Sequence, residues 1–265
     1  MSGFDIRQDT LSYVAVGDSF TEGLDDPYPD SGTTARGHYR GWADRLAHHL
    51  TDHVSEVRYA NLAVRGKLIR QIVADQVPQA VELRPDLVSI CAGGNDIIRP
   101  GTDPDTVARL FADAVRRLRA TGATVLIYTG VDTGFQPVMR RLRGKIATYN
   151  MHVRGIADTY ECPVVDLWNM DVLRDHRAWS WDRLHLSAEG HRRLALRTCE
   201  VLGVPVQDDW NAPWPEEEPK PWRSARQEDL YWAREFLVPW IGRRLTGRSS
   251  GDGLGPKRPE LERLR

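Results

Sequence analysis

Cysteine is scarce in this chain: three residues in 265, Cys91, Cys162 and Cys199, far apart and odd in number. Such a set does not suit a disulfide framework, and no C-x-x-C or H-E-x-x-H spacing points to a dedicated zinc site. Cys91 and Cys162 sit in apolar, strand-like surroundings, which suits small buried thiols. Long apolar runs are also missing, and nothing approaches the roughly 20 residues of a membrane-spanning helix. The N-terminus, M-S-G-F-D-I-R-Q-D-T, lacks the positively charged start and apolar core of a signal peptide, so the expected compartment is cytoplasmic. No charge of one sign dominates. The 36 Lys and Arg against 37 Asp and Glu give a formal net charge of -1, which leaves no footprint for nucleic acid over the whole molecule. What remains is ordinary globular composition, 41% hydrophobic and 28% charged. It is enough chain for one large domain, or one domain with an extension.

The stretch with most information is Val14 to Phe20, V-A-V-G-D-S-F. Val14, Ala15 and Val16 read as the end of a buried strand, Gly17 breaks it, and Asp18 and Ser19 follow at once. In open α/β sheets the loops at the carboxyl ends of strands gather the chemistry. A serine in a tight turn there is well placed to be a nucleophile, although Gly-Asp-Ser is also common turn composition.

The rest of the chain alternates. Strands are expected at Val57–Leu62, Asp86–Cys91, Thr124–Tyr128 and Pro163–Leu167. Helices are expected over His38–Leu50, over Leu68–Leu83 with a break near Pro78, from an Asp103 cap to Arg119, over Val138–Tyr160 and over Ser187–Leu202. Thr21–Gly37 and Thr129–Pro137 read as loops that shape a site. Strands alternating with helices imply a parallel sheet covered on both faces, a three-layer αβα sandwich.

Four groups fall at or near strand ends: Ser19, the backbone amide at Gly66, Asn95, and Asp182 with His185 three residues later. Acyl transfer needs a nucleophile, a base, an acid to orient that base, and donors for the developing oxyanion. A single turn can bring a carboxylate at position 182 to an imidazole at 185. Four blocks carry a resemblance: Gly17-Asp18-Ser19-Phe20, Asn61-Leu-Ala-Val-Arg-Gly66, Gly93-Gly94-Asn95-Asp96 and Asp182-Arg-Leu-His185. In this order the chain resembles the SGNH (GDSL) hydrolase family over residues 11 to 203. Phe20 stands where the family name has Leu.

The resemblance implies a flavodoxin-like five-stranded sheet of order 2-1-3-4-5 and hydrolysis of acyl esters without a metal or other cofactor. By matching position, Ser19 would be the nucleophile, His185 the base and Asp182 its partner. The amides of Ser19 and Gly66 and the side chain of Asn95 would form the oxyanion hole. The partner is then a small acyl ester, with no nucleic acid. A thioesterase or lysophospholipase would use the same residues, and a catalytically silent scaffold is the alternative of another class. Asn95 also suits a cap, a role compatible with the first. Asp18 and Asp96 read as braces of their turns, and His191 as structural.

Residues 1–205 are assigned to the hydrolase domain, 206–246 to an extension with an amphipathic helix, and 247–265 to a disordered tail. The extension holds prolines 213, 215, 219 and 221, and five of the nine tryptophans. Ser224–Gln227 has the form of a capping box, and Leu230, Ala233 and Leu237 would face the domain. The second half of the whole tail is basic, with Arg243, Arg244, Arg248, Lys257 and Arg258, which also fits a membrane surface. Packing on the domain is the favoured reading, because tryptophans mostly find apolar cover.

Overall fold

The computed structural model describes residues 9–28, 39–218, 221–239, 242 and 251–264. Its centre is a sheet whose first strand, β1 (Thr10–Gly17), is buried almost throughout. Beside it lie β2 (Glu56–Asn61), β3 (Leu87–Cys91), β4 (Thr124–Tyr128) and β5 (Val164–Val165), all parallel. Their order across the sheet is 2-1-3-4-5, as the family resemblance implies. A sixth strand, β6 (Arg258–Arg263), runs antiparallel on the free edge of β2. It overturns the expectation of a disordered tail for the described part of residues 247–265. The reason is non-local: β6 is ordered by main-chain pairing with a strand about 200 residues upstream, which composition does not reveal.

Alternation along β1 sends Leu11, Tyr13 and Ala15 to one face and Val14 and Val16 to the other. The first face is covered by α2 (Gly41–Thr51) and α8 (Ala188–Leu202). The second is covered by α6 (Pro104–Arg119), α7 (Arg143–Tyr160) and the segment from Ile69 to Leu83. That segment departs from α geometry earlier than Pro78: a π-helical turn, Ile72–Gln76, separates Ile69–Gln71 (α3) from Val77–Leu83 (α4). Pro78 lies in the first turn of α4, where a missing N–H costs little. Asp103 caps α6 as expected, accepting from the amides of Asp105 and Thr106. The helix expected from His38 begins at Gly41, and His38 lies outside the described residues. Before α7, residues Met139–Leu142 form a 3-10 turn, so the helix starts later than Val138.

After α8 the chain crosses the surface by stacking arginines on tryptophans. Arg197 lies over Trp210, and Arg177 and Arg193 lie over Trp214, with 4.1 Å from the Arg193 guanidinium to the ring centre. The Trp214 indole N–H donates to the carbonyl of Val172 at 2.9 Å. Helix α9 (Trp222–Trp232) then begins after Pro221, so the capping box at Ser224 is not used. Leu230 is 67% exposed, contrary to the expectation that it faces inward, and the Leu237 side chain lies outside the described residues. The helix contacts the domain through Asp229 and Trp232 instead.

Candidate active site

Ser19 opens a single helical turn, α1 (Ser19–Glu22), directly after β1. Asp18 caps it, its carboxylate accepting from the Phe20 amide at 3.1 Å. The crossing of strand and helix is tight. A Cβ on Gly17 would lie 2.6 Å from the Cys91 carbonyl oxygen and 2.4 Å from the Thr21 hydroxyl. Only glycine lets the chain turn there and present Ser19 at the sheet edge.

The turn Trp181–His185 arrives from the far side of the sheet, and the tertiary fold joins it to Ser19. His185 Nε2 lies 2.9 Å from Ser19 Oγ, and His185 Nδ1 lies 2.6 Å from Asp182 Oδ2. Asp182 Oδ1 accepts from the amides of Leu184 and His185, both at 2.9 Å, so one carboxylate both closes the turn and faces the ring. Burial alone would pull the His185 imidazole down, but the hydrogen bond and charge of Asp182, joined by Asp25 and Asp18, leave it raised above the ordinary value. Burial pushes the Asp182 carboxyl up, and its bonds to His185 and to the two amides outweigh this and leave it lowered. A hydroxyl bonded to an imidazole whose other nitrogen faces a carboxylate can lose its proton to that imidazole.

The other two predicted groups are braced from the same region. Arg65, next to Gly66, donates its amide to Glu22 Oε2 at 2.7 Å, and its guanidinium pairs with the same carboxylate. Asn95 lies in α5 (Gly94–Ile97), and its Nδ2 donates to Asp18 Oδ2 at 3.0 Å and to the Lys67 carbonyl at 3.2 Å. Asp18 therefore holds two blocks together, and burial pushes its carboxyl up to about 6. Asp96 braces its loop as expected, accepting from the Ile69 amide at 2.8 Å. His191 is structural. It accepts from the Trp42 amide, donates to the Leu24 carbonyl, and is pulled down by burial to about 4.

A cavity of about 180 Å³ opens beside Ser19. Phe20, Ile97, Val131, Ile146, Leu167 and Trp179 are among its apolar walls, and the Thr129–Pro137 loop lines one side. Of the Thr21–Gly37 loop, residues 29–37 lie outside the described residues.

Sequence reasoning missed Asp25, which has φ +67 and accepts from Ser180 Oγ at 2.7 Å. Its carboxyl is raised, first by burial, and the charge of nearby Asp182 adds to that. Among the described residues, Asp25, Asp182 and His185 are the one set whose potential ligand atoms lie within 4.8 Å of one another. Two of those residues are bonded to each other and the third to Ser180, so the set reads as a proton network. Glu22 was missed too. A carboxylate inside G-D-S-F-T-E carries no spacing signal for an arginine 43 residues away.

No helix among the described residues is long and apolar enough to cross a membrane. Comparison with curated proteins gives no match. Among solved structures, the fold is similar to that of TesA, with a TM-score of 0.58 and 22% identity, covering 72% of this chain and 97% of the other. It is also similar to Axe2, an acetylxylan esterase from Geobacillus stearothermophilus, at TM-score 0.60 and 21% identity over 76% and 95% of the two chains. LAE5, an alpha/beta hydrolase enzyme from the metagenome of Lake Arreo, Spain, aligns at TM-score 0.61 and 22% identity over 73% and 95%. At these identities the likeness is one of fold. Sequence carries the assignment further, because residues 15–193 match the GDSL-like lipase/acylhydrolase family, a span that reaches from β1 past His185. The chain belongs to that family.

Proposed function

We propose that this protein hydrolyses carboxylic esters through an acyl-enzyme on Ser19, with His185 as base and Asp182 as the group that orients it. The observation that carries the reading is the unbroken line of hydrogen bonds from Ser19 Oγ through both imidazole nitrogens to Asp182. As Ser19 Oγ attacks the ester carbonyl, its proton passes to His185 Nε2, and the imidazolium is stabilised by Asp182. Collapse expels the alcohol, which takes that proton. Water, deprotonated by the same nitrogen, then attacks the acyl-enzyme; the bond to Ser19 Oγ breaks, Oγ takes the proton back from His185, and the acid leaves. The amides of Ser19 and Gly66 and the Asn95 carboxamide serve as oxyanion donors. For Asn95 this means sharing an N–H now given to Lys67, the longer of its two bonds. The apolar walls beside Ser19 suit the hydrocarbon part of an acyl group.

The test is direct. Ser19→Ala should lower kcat on a chromogenic ester by several orders of magnitude, and mass spectrometry after an organophosphonate should find the adduct on Ser19. Labelling elsewhere would sink the reading. The base must be neutral to act, and its imidazole is raised, so the acid limb of kcat/KM should lie above the ordinary histidine value of about 6.5.

A further inference from the structure

The turn that carries Asp182 and His185 is held from outside the family-matched span. Arg183, between the two, has φ +58, a left-handed conformation that side chains other than glycine rarely adopt. Such a residue stays there only when its surroundings over-determine it. Part of that holding comes from within the domain: Arg183 donates its amide to the Ser180 carbonyl, and Gln136 donates to the Arg183 carbonyl at 3.3 Å. The rest comes from α9. The Trp232 indole N–H donates to the main-chain carbonyl of Asp182 at 2.8 Å. The Arg183 guanidinium pairs with Asp229 at 2.7 Å and lies 4.9 Å from the centre of the Trp232 ring. Trp181 meets Phe236 edge-on just beyond the helix. Three consecutive residues of the turn, Trp181, Asp182 and Arg183, therefore each have a partner in the segment 229–236.

These contacts are arranged for holding a backbone, not for filling a core. Leu230, Tyr231 and Val238 are each more than 60% exposed, while Asp229 and Trp232 reach back to the turn. With those three side chains in water, the segment docks through one indole N–H, one ion pair and the half-buried rings of Trp232 and Phe236, and it gains little burial. What it fixes is the carbonyl of the residue whose carboxylate faces His185.

We propose that α9 is a positioning element for the Asp182–His185 turn, with Trp232 and Asp229 keeping the Asp182 carboxylate on the His185 ring. The inference rests on the acyl-enzyme reading for its kinetic consequence, though not for its structural one. Displacement of a reacting group by about 1 Å can cost up to 10²-fold in rate. Arg183 lines the cavity, but Trp232 and Asp182 do not, so loss of the indole bond to the Asp182 carbonyl should fall on kcat and spare KM as long as Arg183 keeps an aromatic face.

The experiment uses the full chain and Trp232→Phe, which keeps an aromatic face for Arg183 while removing the N–H and part of the ring area. Two readouts are taken. The first is the titration of the His185 imidazole by ¹⁵N NMR, assigned by its disappearance in His185→Gln. The groups that set this titration are Asp182 in the same turn, Asp25 after α1, Asp18 before α1 and His191 on α8, and only the first is held by α9. The expected result is a His185 midpoint moved down toward the ordinary value. The second readout is kinetic: kcat should fall on the order of 10-fold, KM should stay within about twofold, and Tyr231→Ser on the exposed side of the same helix should leave both unchanged. A Trp232→Phe enzyme with wild-type kcat and wild-type titration would overturn the proposal. So would a fall in kcat fully accounted for by a smaller fraction of enzyme reactive to the organophosphonate, which would mean general loss of fold. If the wild-type protein hydrolyses no ester, the acyl-enzyme reading fails, and the imidazole titration still decides this one.

Discussion

Two regions of the chain after α8 depart from what their compositions suggest. Residues 206–218 and 221–239 are rich in tryptophan and look like material for burial; Trp210 and Trp214 do pack against the core, yet Trp222, Leu230, Tyr231 and Val238 are largely exposed. Residues 251–264 are mostly Gly, Pro, Arg, Lys and Glu and look like a solvated tail, yet they add a strand to the sheet. Lys257 there is almost fully buried, with Nζ 2.8 Å from the buried Asp44 and from the carbonyls of Tyr39 and Arg40. Burial pulls the Lys257 ammonium down, and Asp44 partly opposes that. Asp44 also accepts from the hydroxyls of Tyr28 and Tyr59, so one carboxylate ties α2, β2 and the last stretch of the chain together. Close approach completes the fit, because a Cβ on Gly251 would lie 2.0 Å from the Arg65 carbonyl oxygen. Composition reports how much apolar surface a segment offers. It does not report whether the backbone finds an open strand edge, or whether a charge finds a buried partner.

Breaking the polar piece should cost most. Removing residues 251–265 should uncover the edge of β2 and promote association, seen as light scattering at concentrations where the full chain stays monodisperse. Lys257→Met alone should lower unfolding stability by about 3 kcal/mol, because it leaves a buried carboxylate without its cation. Combining it with Asp44→Asn should cost less than the sum of the two changes, and strict additivity would show that the pair is not coupled. Next comes the stretch after α8 that carries Trp210 and Trp214. Trp214→Ala removes a ring held between Arg177 and Arg193 and should cost about 2 kcal/mol in urea unfolding at unchanged m-value. Smallest is the outer side of α9, where Tyr231→Ser should change stability by no more than about 0.5 kcal/mol. A larger loss there would mean that this exposed face has a partner in solution, and the comparison between the two pieces would need revision.

Most of the sandwich was legible because its elements are locally punctuated. Asp103-Pro104 starts α6, and Gly203 ends α8 in the left-handed conformation. The apolar runs of β1, β3 and β4 are the near-continuous kind that a sheet buried on both faces requires. The candidate site residues stood out in the sequence for a different reason, since each sits in a short block with a glycine or in a closed turn. Asp25 and Glu22 were not, because their importance lies in partners 155 and 43 residues away. The helix start at Trp222 was missed because Ser224 and Gln227 imitate a capping box while Pro221 lies at the true boundary.

By itself the sequence determined the alternation of strands and helices, the family, and the residue types that can carry acyl transfer. These depend on short-range facts: period, punctuation, and a few side chains at fixed spacing. Tertiary structure alone decided that His185 comes within 2.9 Å of Ser19, that Asp18 bridges to Asn95, and that β6 closes the edge of β2. It also decided that Trp232 holds the carbonyl of Asp182. The physical reason is common to all four. Each is a contact between groups distant in the chain, and its energy depends on distance and desolvation, which only the folded chain sets.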